Sequence, residues 1–203
     1  MNFLYLLLLA FAASIAHAQE MAPDALVKSI TQEVISIIRQ DKDIQAGNAT
    51  KIADLVDSKV LPHFNFSRMA QLAVAVNWRK ASPDQQKALT QEFRALLVRT
   101  YSTALSSYRD QAIEFKPLRA RAGDTEVTVK SEVKQTGAQP VSIDYDMEKT
   151  PAGWKVFDVK IGGVSLITTY KEDFANQVRE SGLDGLIRTL AAKNRQAESR
   201  RRT

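Results

Sequence analysis

The chain of 203 residues has no cysteine, and its first 18 residues aside it has a single histidine, His63. Together these absences exclude thiol chemistry and leave a single residue for any histidine chemistry. Without cysteine there is no disulfide, no thiol nucleophile and no attachment point for a lipoprotein anchor. A Ser-His-Asp arrangement would have to be built on His63, directly after Pro62 at a helix junction, and a zinc site lacks ligands for the same reason. No glycine-rich phosphate loop occurs. Ser165 follows Gly162 and Gly163, but GGVSL lacks the second glycine of a nucleophile elbow. Only one long apolar run is present. LYLLLLAFAASIA is short for a bilayer span and leads into Ala16-His17-Ala18, a small-x-small cleavage pattern, so residues 1–18 read as a signal peptide that is removed. Its n-region is weak, since Met1 to Tyr5 carries no Lys or Arg.

Charge excludes less than it first suggests. Of the formal net +5, Lys193, Arg195, Arg200, Arg201 and Arg202 against Glu198 place +4 in residues 193–203, so the body is near +1. That segment reads as a basic, flexible tail, first of all a frayed solubilising terminus and alternatively one able to skim anionic lipid or an acidic partner. Nucleic acid is not an expected partner for an exported, nearly neutral body. Residues 19–192 suit one domain with a sizeable core.

What is present is apolar patterning. Leu26, Val27, Ile30, Val34, Ile37 and Ile38 predict a first helix, and Ile52, Leu55, Val56 and Val60 a second that Pro62 ends, with DKDIQAGNAT as a loop between. Both helices read as core cover. His63 to Asn77 is apolar nearly all round, as a buried helix is. Ser82, Pro83 and Gln85 form a capping-box start to a long helix extending to about Arg109. The period then changes to two in AIEFKPL, TEVTVKSEV and PVSIDYDME, which predicts strands of an antiparallel meander with one solvated face and one covered by helices. Asp144 and Asp146 fall on the solvated side.

The last strand differs. In GWKVFDVKIGGVSLITTYKEDF, Trp154, Val156, Phe157, Val159 and Ile161 put apolar groups on both faces, which implies cover on both sides or a cavity on one. Gly162 and Gly163 break it, and apolar residues continue into a helix that Gly182 stops before a final amphipathic one. Asp158, a lone acid in that strand, reads as a hydrogen bond fixing the strand end, with a catalytic acid as the rival reading. The apolar surplus is either solid core or the lining of a pocket, and periodicity alone does not separate the two.

NWRKASPDQQKALTQEFRALLVRTYSTAL, from Asn77 to Leu105, resembles the central helix of the MlaC family of toluene-tolerance auxiliary proteins. GWKVFDVKIGGVSLITTYKEDF resembles the second signature of that family through Trp154, Asp158, Gly163, Val164, Ser165, Leu166, Tyr170 and Phe174. Lys171 departs from it, standing where such sequences often have arginine, and loses the planar fork. The resemblance spans nearly the whole mature chain. The order of helices, meander and helices already predicts a single α+β domain with helices packed on one face of a curved four-stranded antiparallel meander, a cystatin-like or NTF2-like cone, and the resemblance agrees with it. The resemblance further implies a monomeric periplasmic carrier of diacyl glycerophospholipids, moving between an outer-membrane lipoprotein complex and an inner-membrane ABC-transporter complex and so maintaining outer-membrane lipid asymmetry. Exposing two acyl chains to water costs on the order of 20 kcal/mol, so such a carrier must cover nearly all of both. The expected lining is Leu97, Tyr101, Leu105, Val129, Ile143, Tyr145, Val159, Leu166 and Tyr170, between the long helix and the inner sheet face. No catalytic residue, metal or cofactor is expected, the lipid being cargo. Two rivals remain: a small-molecule enzyme of the same cone using Asp158, and a periplasmic adaptor with a solid core.

Overall fold

Each helix is set by a local signal that the sequence carries. The computed structural model describes residues 21–202, so the expected signal peptide lies outside the described residues. Helix α1 (Pro23–Gln40) starts on a proline and buries Val27, Val34 and Ile38 along one stripe. The expected loop after it contains a short helix, α2 (Lys42–Gln45), because the Asp41 carboxylate accepts from the backbone N–H groups of Asp43 and Ile44. Asn48 caps α3 (Ala49–Leu55) in the same way. That helix loosens into a π-turn, Val56–Val60, and a 3-10 turn, Leu61–His63, around Pro62. Asn65 caps α4 (Phe66–Val74), which ends on Ala75 with φ of 55°, a conformation that disfavours any side chain.

Helix α5 (Pro83–Tyr101) opens with the expected reciprocal capping box between Ser82 and Gln85. It does not run to Arg109. It ends at Tyr101 and is followed by the single turn α6 (Thr103–Ser106). Ser102 stands at the break, its backbone N–H still donating to the Val98 carbonyl, and serine is a weak helix former.

The sheet has five antiparallel strands in the order β1 (Ala112–Phe115), β2 (Glu126–Lys134), β3 (Val141–Thr150), β4 (Gly153–Ile161) and β5 (Val164–Ser165). One strand more than expected arises at Gly162 and Gly163. Both have positive φ, as the tightest two-residue hairpin turn requires, so the chain folds back to pair Val164 with Ile161 before any helix begins. The last strand's apolar residues on both faces also have a cause the sequence hides. Asp146 pairs with Asp158 but Met147 with Val156, which leaves Phe157 as the extra residue of a β-bulge. Parity shifts there, so Trp154 and Val156 before the bulge and Val159 and Ile161 after it share the inner face. Phe157 sits outside, with the Arg68 guanidinium 3.7 Å from its ring centroid.

On the outer face Lys160 pairs with Asp146, Lys130 with Asp144 and Arg68 with Glu126 and Glu148, a solvated ladder of charge. On the inner face Val127, Val129, Met147, Val156 and Val159 meet α4, α5 and α7 (Leu166–Arg202) in the main core. Gly182, with φ of 70°, breaks α7 into two helices as the sequence implied. Residues 193–202, expected as a tail, continue the second of them. Asn194 is buried there: it donates to the Glu92 carbonyl and carboxylate and accepts from Arg99. A smaller core of Val34, Ile38, Ile44, Ile52 and Leu55 joins α1 to α3.

Candidate functional site: the inner sheet face and its open end

The inner face is built in rows by strand register. Residues directly paired across antiparallel strands point to one side. Val129, Tyr145 and Val159 form the central row, and Ser131, Ile143, Ile161 and Val164 the next. Phe115 extends that second row at the β1 edge, and Ile113, Val133 and Val141 form the last. Burial falls along this direction. Val129 is 1% exposed, whereas Val141 is 43%, Ile161 36% and Val164 60% exposed. A mainly apolar floor therefore runs from the core to solvent, with the buried Ser131 in its second row donating its hydroxyl proton to the Ile143 carbonyl.

The expected lining residues collect over this floor. Leu97, Val129, Val159 and Leu166 are buried in the main core, and Tyr101, Ile143, Tyr145 and Tyr170 pack half-buried against it. Leu105 does not join them: it packs against the smaller core, because α5 breaks before reaching it. Helix α7 contributes an aromatic cover. Phe93 meets Tyr170 edge-on at 5.4 Å and Phe174 at 5.3 Å, centroid to centroid. Burial, reinforced by Tyr170, pushes the Tyr101 phenol above its ordinary value, and burial does the same to Tyr145, partly offset by Ser131.

Asp158 and Ser165 are absorbed by the corner that holds this cover in place. The Ser165 hydroxyl donates to Asp158 Oδ2 at 2.5 Å, and Asp158 Oδ1 accepts from the Val159 N–H at 2.8 Å and the Ile167 N–H at 3.3 Å. Ser165 Oγ in turn accepts from the Thr168 N–H at 3.1 Å, an N-cap for α7. A buried acid thus ties the end of β4 to the first turn of α7. His63 lies in the 3-10 turn after α3, where burial and the nearby Lys155 hold its imidazole below the usual value. Among the described residues no group of three or more His, Asp or Glu is arranged to hold a metal ion, and no helix is long and apolar enough to cross a membrane.

Sequence reasoning missed one part of the site. A groove of about 470 Å³ opens between α1 and β1, with Ile35, Ile113 and Phe115 as its apolar lining and Lys28, Arg39 and Tyr108 among its polar groups. It meets the inner face at the β1 edge, since Ile113 and Phe115 belong to the last two rows. The signal was present in α1, where Lys28, Thr31, Gln32, Ser36 and Arg39 recur on one helical face without an acid among them. What that face meets is decided some 70 residues later and was not readable locally.

Comparison with known proteins places this geometry. The toluene tolerance protein ttg2D of Pseudomonas putida is 25% identical over 182 residues, covering 89% of this chain and 83% of that protein. The intermembrane phospholipid transport system binding protein MlaC of Haemophilus influenzae is 20% identical over 183 residues, covering 89% and 86%. A solved phospholipid-binding protein from Ralstonia solanacearum, in complex with a phospholipid, superposes with a TM-score of 0.81 at 40% identity, covering 88% of this chain and 99% of that one. The family model described as MlaC protein matches residues 28–192, nearly the whole of the described domain, and the chain belongs to that family.

Proposed function

We propose that this chain is a phospholipid-binding transport protein of the periplasm. In this reading it carries diacyl glycerophospholipids between the outer and inner membranes, with their acyl chains against the inner sheet face, and so maintains outer-membrane lipid asymmetry. The observation that carries the proposal is the mainly apolar floor from Val129 to Val141 and Val164, in a fold whose relative at 40% identity is a phospholipid complex. A solid-core protein has no need to leave its inner face apolar out to solvent, whereas a carrier must admit chains there and release them without hydrolysis. The partners in this reading are a lipoprotein complex at the outer membrane and an ABC-transporter complex at the inner one, and the working form is a monomer. An enzyme built on Asp158 is disfavoured, since its carboxylate is engaged by Ser165 and two backbone N–H groups.

Mass spectrometry of an organic extract from the purified, natively exported protein tests the proposal. Diacyl glycerophospholipid at close to one molecule per chain is expected. A lipid-free protein that also takes no lipid from vesicles would sink the carrier reading.

A further inference from the structure

The groove between α1 and β1 contains two cations of different standing. Several cations elsewhere on the helical layer meet an acid: Lys51 pairs with Asp41 and Asp43, Lys59 with Glu33, and Arg94 with Asp57. Among the described residues Lys28 and Arg39 have no carboxylate partner, and no acid lines the groove. Two acids near the Arg39 end of α1, Glu33 and Asp41, are already paired with lysines.

Arg39 is held by a neutral group instead. Its Nη2 donates to the Tyr108 hydroxyl at 3.0 Å, and that hydroxyl spends its own proton on the Gln111 carbonyl, also at 3.0 Å. The phenol therefore acts toward Arg39 as an acceptor only, with the guanidinium 5.7 Å from its ring centroid. This orients the fork without cancelling its charge, and it leaves the remaining N–H donors for an anion. The apolar lining beneath, Ile113 and Phe115, continues into the inner face. Cation and apolar floor together fit an amphiphile with an anionic head.

We infer that Arg39, positioned by Tyr108, binds the phosphodiester of the cargo lipid at this groove. The inference rests on the proposed carrier function. It names the recognised chemistry as the phosphodiester that zwitterionic and anionic glycerophospholipids share, so head groups beyond it are read weakly. Lys28 provides an internal control. It lies on the same face eleven residues earlier, about 16 Å along the helix, too far to serve the same phosphate.

The test measures uptake from vesicles of a fluorescent diacyl phosphatidylethanolamine and of diacylglycerol with the same chains, with inorganic phosphate as competitor. Arg39→Gln should weaken phospholipid binding about ten-fold and leave diacylglycerol binding unchanged. Lys28→Gln should change neither, and Tyr108→Phe should lose part of what Arg39→Gln loses. Far-ultraviolet circular dichroism is expected to be the same for all variants, since Arg39 is exposed. Four results would overturn the inference: no effect of Arg39→Gln, an equal loss for diacylglycerol, an equal loss from Lys28→Gln, or inorganic phosphate competing as tightly as the phospholipid binds. A wild-type protein that takes up neither lipid would instead refute the carrier function on which the inference stands.

Discussion

The two ends of the inner sheet face use the same kind of residue to opposite effect. At the closed end Val127, Met147 and Val156 are packed under α4, α5 and α7, and Met147 is fully buried. Six residues back along the same strand and face, Val141 stands 43% exposed, with Ile161 and Val164 beside it across the neighbouring strands. Burial of an aliphatic side chain is worth about 1.5–3 kcal/mol, so the closed end stabilises the fold while the open end forgoes that gain. In a carrier the forgone burial is recovered when acyl chains arrive. On the proposed function, the difference separates residues that hold the protein together from residues that would hold the cargo.

The largest expected effect lies at the closed end. Met147→Ala should cost about 2–5 kcal/mol in urea unfolding, through lost transfer energy and the cavity left behind. Loss of less than about 1 kcal/mol would mean that this end is not closed. Next comes the corner joining β4 to α7. Asp158→Asn removes the charged acceptor of the Ser165 hydroxyl and should cost about 1–3 kcal/mol. A variant of undiminished stability that lost turnover of a small molecule would instead favour the enzyme reading. A smaller change of opposite sign is expected at the end of α4. Ala75→Gly relieves a backbone conformation with φ of 55° and should add about 1 kcal/mol. Lipid exchange by that variant should match the wild type. Least of all should the open end affect stability: Val141→Ser is expected to shift unfolding by no more than about 0.5 kcal/mol. It should nonetheless speed the loss of bound phospholipid, measured by dilution into empty vesicles. A large stability loss there would erase the contrast between the two ends.

How much of this was legible depended on how local the cause was. The alternation of Val127 and Val129, and of Ile143, Tyr145 and Met147, gave the inner face directly, because a strand's period of two is written into its own residues. The capping box at Ser82 and the break at Gly182 were equally local. The bulge at Phe157 was not, since it exists only relative to the register of β3. Without it the strand from Trp154 to Ile161 looks apolar on both sides, whereas there is one inner face and one displaced phenylalanine. The glycine pair was recognised as a break, but what it turned the chain toward, a fifth strand, depended on pairing with Ile161. Of the expected lining, Leu105 packs against the smaller core because α5 ends at Tyr101, a break that helical periodicity does not mark. The groove escaped altogether, because α1 shows its polar face as ordinary solvent cover until β1 is brought against it.

On the proposed function, cargo acyl chains lie on the inner face of the sheet and not on its charged outer face. Photocrosslinking tests it most directly, using a phospholipid with a diazirine near the end of one acyl chain and peptide mapping of the adducts. Adducts are expected on inner-face residues such as Val129, Ile143 and Tyr145 and on the covering Tyr101 and Tyr170. Adducts confined to the outer face around Lys130, Asp144 and Asp146, or spread evenly over both, would contradict it.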